Sequence, residues 1–356
     1  MHKTKRLAGK ALLAAAVAST MLCYGGIALA QVKTSAEAAM LKGADRQANL
    51  VAAAKKEGEL SIYTSVPIDD MAVLTAAFEK KYGIKTRVWR AGSEKVLQRA
   101  VTEARANRFE ADIIETNGPE LESLHREKLL QEVQSPYLGD LIAPAIQPHK
   151  EWVGTRLNIF AMAYNTNLVK KEDLPKTYQD LTDPKWKGKL GVEAKVFEWY
   201  TGVVQDMGEG KGVKLFNEIA GRNGVSVRQG MSLLNNMVVA GEVPLALTMY
   251  IDLPEKGKRA GQPIDWFALD PVMAMGFNVS VARHAPHPNA AALFEDYMLS
   301  PDTQKLLASL FFYPASTKAQ SIYPKLNVKL IDPVFSVDTY EKWNKSYEDV
   351  VTKRAK

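Results

Sequence analysis

The sequence predicts an α/β protein in two domains, and three observations carry that prediction. The stretch Glu59–Ala100 repeats strand, polar turn and helix twice within about forty residues, the pattern of parallel strands joined by helices. The chain has 356 residues, against a prior of about 150 per domain. A third sign is Leu157–Tyr164, an apolar run that reads as a long strand crossing between lobes.

Each element follows from its residues. Residues 31–58 read as an amphipathic lead-in helix burying Leu50, Val51 and Ala54. Leu60–Thr64 is a short apolar strand between Gly58 and the turn Ser65-Val66-Pro67. Met71, Leu74, Ala77 and Phe78 then recur at helical spacing; Asp69 and Asp70 complement the dipole in the first turn, and Gly83 ends the helix. Lys85–Trp89 is the second strand, and Gly92-Ser93-Glu94 opens a second helix, with Ser93 as its N-cap and Val96, Leu97, Ala100, Val101 and Ala104 facing inward. Ala111–Glu115 is a third strand, whose loop Thr116-Asn117-Gly118-Pro119 enters a helix. Beyond the crossing strand, Leu190–Glu193 and Val243–Tyr250 read as strands, and 199–207, 213–220 and 232–240 as helices. Pro254–Gly261 reads as a charged, flexible segment. Ile264–Phe267 and Ala274–Ala282 return to the first lobe, and 288–298, 301–310 and 339–351 are helical. Ligands of parallel α/β units sit at the carboxyl ends of the strands, which puts Thr64-Ser65, Gly92-Ser93 and Asn117 at one edge.

The amino terminus predicts export. Lys3, Lys5, Arg6 and Lys10 precede the apolar run Ala11–Leu22 and a small-residue site at Ala28-Leu29-Ala30, so 1–30 reads as a cleaved signal peptide. The apolar run is shorter than the roughly 20 residues of a spanning helix. Cys23 follows Thr20-Met21-Leu22 rather than small residues, which argues against lipidation, and it is the chain's one cysteine. A chain from Gln31 onward therefore has no disulfide or thiol chemistry. Without its four basic signal residues the formal charge falls from +6 to +2, too balanced for a nucleic-acid footprint. No cofactor motif is present. Neither G-x-S-x-G nor a histidine spacing suggesting a triad occurs, which argues against an enzyme.

Several motifs stand in one order: the strand and turn around Tyr63-Thr64-Ser65, the helix segment Ala76–Lys85 (AAFEKKYGIK), Gly92–Arg99 (GSEKVLQR) and Ala111-Asp112-Ile113-Ile114. Asp180–Lys189 (D-L-T-D-P-K-W-K-G-K), the most specific, Ala240–Pro244 and Ala285–Ala291 follow. Together they resemble the iron-type group of bacterial ABC-transporter solute-binding proteins over nearly all of the chain from Gln31 onward. The resemblance implies a two-lobed periplasmic-binding-protein fold, each lobe a mixed sheet flanked by helices with the ligand in the interlobe cleft. It implies lobe 1 at 31–163 plus 264–318 and lobe 2 at 164–263 plus 319–356. It also implies a periplasmic monomer that delivers a small-molecule ligand to an inner-membrane ABC permease. A secreted enzyme on the same fold is the competing class.

Ferric-binding members of that group resemble one another in a first-turn histidine, a glutamate after the third strand and two adjacent tyrosines. Here those positions hold Val66-Pro67, Asn117 and Ile251-Asp252, with Tyr250 beside the last pair. No metal is expected, although Tyr250 with Glu115 or Glu193 keeps iron open as an alternative. What remains at the cleft is Thr64, Ser65, Gly92, Ser93, Asn117, Arg156, Arg228 and Tyr250, with Arg90 and Trp199 as neighbours. Hydroxyls, amides, a helix start and arginines favour a small organic anion.

Overall fold

The computed structural model describes residues 34–324 and 326–353; the expected signal peptide lies outside them. The lead-in is two helices rather than one. In α1 (Ser35–Ala39) Thr34 and Glu37 form a capping box, and α2 (Arg46–Glu57) ends on Gly58 at φ +82°. The break is held by Arg46, whose guanidinium donates to Ala39 O (3.2 Å) and Leu41 O (2.5 Å) while pairing with Asp296 (2.9 Å).

The predicted repeat follows. Strand β1 (Glu59–Thr64), helix α3 (Ile68–Tyr82), strand β2 (Lys85–Arg90), helix α4 (Ser93–Arg105), strand β3 (Ile113–Asn117) and helix α5 (Gly118–Arg126) alternate in order. β1 runs parallel to β2 and β3, with Thr64 level with both Arg90 and Glu115. That register brings the three strand ends to one edge. After β4 (Leu130–Gln131), β5 (Val153–Asn165) is long enough to serve two sets of neighbours.

The next stretch contains β6 (Leu190–Glu193), α6 (Phe197–Met207), α7 (Glu209–Asn223), β7 (Ser226–Arg228), α8 (Met231–Ala240), β8 (Leu245–Tyr250), α9 (Asp252–Arg259) and β9 (Ile264–Phe267). The expected flexible segment 254–261 is therefore mostly helix. Pro254 falls in the first turn of α9, where a missing N–H costs nothing, and Arg259 pairs with Glu255 one turn back (2.8 Å). A second correction concerns β9, which pairs antiparallel with Met162–Asn165 beside the second lobe's strands rather than returning to the first lobe. Gly261, at φ +74°, turns the chain back at once, and Ile264 is buried with Leu234, Val238 and Val243.

The return is β10 (Val272–Ala282), followed by α10 (Pro288–Leu299), α11 (Pro301–Ser309), β11 (Tyr313–Pro314), β12 (Val328–Leu330), α12 (Pro333–Asp338) and α13 (Tyr340–Tyr347). The strand order is β2-β1-β3-β10-β5-β8-β6-β7. β10 pairs with β3 and with Val153–Ile159 of β5, whereas β8 and β9 pair with its remaining residues, so one strand joins two sheets. Each sheet has its own core. In the first, Phe78 packs against Phe294 (5.1 Å) and Tyr297 (5.3 Å); in the second, Tyr200, Phe216, Trp343 and Tyr347 cluster. This is a two-lobed α/β fold with the cleft beside β5. Among the described residues no helix is long and apolar enough to cross a membrane.

Candidate ligand site

The aligned ends of β1, β2 and β3 place polar side chains in hydrogen-bonded sequence. Ser65 and Thr116 share a hydrogen bond of 3.0 Å between hydroxyls; Ser93 Oγ donates to Ser65 Oγ at 3.1 Å. Asn117 Nδ2 donates to Ser93 Oγ at 3.0 Å, and Asn158 Nδ2 to Asn117 Oδ1 at 3.1 Å. Three of the expected residues, Ser65, Ser93 and Asn117, thus form one cradle. Gly92, extended at φ −66° and ψ 155°, is the N-cap of α4, and Ser93, expected to be the cap, is the first helical residue, so the helix begins one position earlier than predicted. Helices α3, α4 and α5 all start at this edge without a side-chain cap, so their first N–H groups favour negative charge.

Two expected residues lie beneath the cradle. Thr64 is fully buried, and its hydroxyl accepts the Val66 N–H at 3.0 Å, fixing the turn. Arg156 is 1% exposed, donates to Glu115 Oε1 at 3.2 Å, and lies over the rings of Phe277 (3.7 Å) and Phe312 (4.2 Å). It is a core ion pair, because β5 is buried along nearly its whole length and leaves Arg156 no route to solvent. Trp199 is likewise core, edge-on to Phe216 at 5.3 Å.

Arg90 is exposed and donates to Val66 O (3.2 Å); Arg228, half-buried at the end of β7, donates to Val227 O (2.8 Å). Among the described residues neither has a carboxylate within ion-pair distance. Tyr250 ends β8 half-buried, its hydroxyl 3.9 Å from Met275 Sδ. Glu115 and Glu193, the carboxylates that kept iron open, have structural partners: Arg156 for one, the Gly230 N–H (2.8 Å) and Lys195 N–H (2.5 Å) for the other.

Sequence reasoning missed two further carboxylates taken out of solvent. Glu120, in the first turn of α5, is half-buried, with Oε2 enclosed and unpartnered. Burial, reinforced by the charge of Glu94, pushes its carboxyl up to about 7. Glu198, in the first turn of α6, is 8% exposed. Burial first, then the charges of Glu120 and Glu193, hold it well above the usual carboxylate range. The Tyr250 phenol is raised by burial and then by Glu198, Glu193 and Glu120. An acid in a helix's first turn reads as ordinary dipole matching, so only Thr116, in the predicted loop, and Asn158, within the predicted crossing strand, had any signal.

The histidines lie elsewhere. His125 and His149 stack at 3.8 Å, and Glu151 bonds His125 Nδ1 (2.7 Å) and Arg283 Nη2 (2.9 Å). Parallel rings direct their nitrogen lone pairs side by side rather than at one point, which suits packing more than chelation. His287 is tied to Asp112 through Nδ1 (2.9 Å).

The fold and the strand-edge cleft define a two-lobed binding protein. The chain belongs to the bacterial extracellular solute-binding protein family, whose profile matches residues 74–327. It is 26% identical over 270 residues to an uncharacterized protein of Haemophilus influenzae, covering 71% of this chain and 76% of that one. Iron-bound HitA from Pseudomonas aeruginosa superposes with TM-score 0.71 at 21% identity, over 82% of this chain and 99% of the other. AfuA from Actinobacillus pleuropneumoniae, with exogenous fructose-6-phosphate bound, gives TM-score 0.72 at 22% identity, over 83% and 99%.

Proposed function

We propose that the protein, exported to the periplasm with cleavage after Ala30, works as a monomer that captures a small organic anion between its lobes, hands it to the permease and catalyses no reaction. The lobes in this reading are 31–163 with 272–318, and 164–271 with 319–356. One observation carries the ligand class: the cradle of Ser65, Ser93, Asn117 and Asn158 lies at three helix starts that no side chain caps. Backbone N–H groups so arranged favour an anion, and Arg90 and Arg228, without carboxylate partners, are available to pair with it.

Native mass spectrometry of periplasmic material tests this directly. The expected result is a chain beginning at Gln31 with a small ligand retained. Titration should then show Ser93→Pro weakening the ligand by about one to two decades, the scale of a charge-assisted contact. Proline is tolerated at a first helical position, so the variant removes a hydroxyl and one N–H while keeping α4. Unchanged affinity would remove the cradle from the site.

Ferric ion is the second reading, favoured by the Tyr250 phenol lying within the charge field of Glu198, Glu193 and Glu120. Such oxygen donors suit a hard cation. Stoichiometric iron with a tyrosinate charge-transfer band, lost in Tyr250→Phe, would favour it over the anion.

A further inference from the structure

Helix α12 is anchored in one lobe and lies against the other. Phe335 packs against the second core, and α13, which follows at once, sinks Trp343 and Tyr347 into it. Tyr347 also donates from its hydroxyl to Glu193 O at 2.6 Å. Yet the start of α12 rests on α5 of the first lobe. An added Cβ on Gly118 would stand 3.2 Å from Pro333 Cβ and 3.7 Å from Pro333 Cγ, which leaves little room for any side chain there. At the other end of the two helices, Arg126 pairs with Asp338 at 2.6 Å.

These two attachments differ in strength. The second-lobe side is buried aromatic surface. The first-lobe side is a bare glycine and an ion pair whose side chains are 40% and 54% exposed, a contact worth little in water. When the lobes part, α12 therefore stays with the second and leaves Gly118. What it uncovers is the start of α5, where the Asn117 amide is turned to Ser93 and no side chain caps the helix.

We propose that α12 is a strap across the cleft: carried by the second lobe, it seats on Gly118 as the lobes close, shields the α5 start beside the cradle, and must lift before a captured solute leaves. The inference rests on the anion reading only for what passes beneath the strap, since the seating itself needs no ligand.

A reversible crosslink tests it. Cys23 is the chain's one cysteine, so in the protein from Gln31 onward Gly118→Cys with Pro333→Cys offers a single possible disulfide. Its Cβ atoms stand close to the roughly 3.5–4.5 Å that such bonds need. In protein collected from the periplasm the disulfide should form, and hydrogen exchange at the amides of 118–126 should slow about tenfold against the reduced form. The small molecule carried from the periplasm, followed by native mass spectrometry, should survive dialysis while the disulfide is intact and leave on reduction. Gly118→Val, with folding verified by circular dichroism, should act the other way, with faster exchange across α5 and a larger radius of gyration. Thiols that stay free under oxidant overturn the strap, as does α5 exchange that neither the disulfide nor Gly118→Val alters. Escape of the carried molecule at one rate from oxidised and reduced protein also overturns it and leaves the anion reading standing. A locked protein that retains only a neutral or cationic molecule keeps the strap and overturns the anion reading instead.

Discussion

Glu295 shows how much a single residue in this fold costs. It sits on α10 with no exposure; both carboxylate oxygens lack a partner, while its neighbour Asp296 takes the bidentate contact of Arg46 (2.9 and 3.2 Å). Burial, then the charge of Asp296, raises the Glu295 carboxyl well above its ordinary range. A raised pKa in the folded state means the fold holds the proton more tightly than the unfolded chain. The associated stability is therefore fully present below the unfolded value and is lost as pH rises through the folded one. Glu295→Met should stabilise the protein at neutral pH by about 1–3 kcal/mol, the cost of an unsatisfied buried polar group, and should flatten the decline above pH 5. Urea melts of both proteins at pH 5 and pH 8 check this; a variant less stable than its parent at pH 8 refutes it. The same scale explains what could be read in advance. Ser65, Ser93 and Asn117 were legible because parallel strands in register must end together. Arg156 was not, since nothing in its neighbours announces that Glu115, 41 residues earlier, will hold it inside.

At the scale of elements, close approach of helices decides positions that periodicity leaves open. Helix α7 packs against α6 at Gly212, where an added Cβ would lie 2.6 Å from Val204 Cα and 2.9 Å from Val204 O. Backbone cannot rotate out of the way as a long side chain can. Gly212→Ala should therefore cost about 1–3 kcal/mol despite alanine's better helix propensity, and guanidinium melts measure it. Stability equal to or above the parent's would mean the two helices separate freely. Helix α9 teaches the converse. Proline and clustered charge made 254–261 look like a loop, yet the pairs Asp252–Lys256 (3.9 Å) and Glu255–Arg259 (2.8 Å) are helix-forming spacings, and Glu255 also accepts the Trp266 indole N–H (2.8 Å). The anchoring tryptophan lies on the next strand, out of reach of any window centred on the helix.

For the whole molecule, the arrangement of two sheets on one shared strand leaves the relation of the lobes to a few contacts beside the cleft. One of them is Lys256 Nζ of α9 to Asp70 Oδ2 of α3 at 2.6 Å, joining a second-lobe helix to a first-lobe one; Arg126 of α5 to Asp338 of α12, also 2.6 Å but more exposed, is another. Their side chains are 26% and 10% exposed, so the pair is only weakly screened. Lys256 also stands over the Phe312 ring (4.6 Å), against the layer that covers Arg156. An ion pair that exists only when the lobes meet favours closure with or without ligand. Lys256→Met keeps the aliphatic stem and removes the charge, leaving Asp70 and Asp252 to repel each other. Closure should lose about 1.5–3 kcal/mol, and ligand affinity should fall by roughly one to two decades. Small-angle scattering should show a larger radius of gyration for the ligand-free variant than for the parent, and restoring the parent value at saturating ligand separates an altered equilibrium from damage to the fold. Pairing the change with Asp70→Asn should add little further, because the two residues make one contact. Identical scattering for parent and variant, together with unchanged affinity, would show that the lobes are held by packing around β5 and that the ion pair only accompanies it.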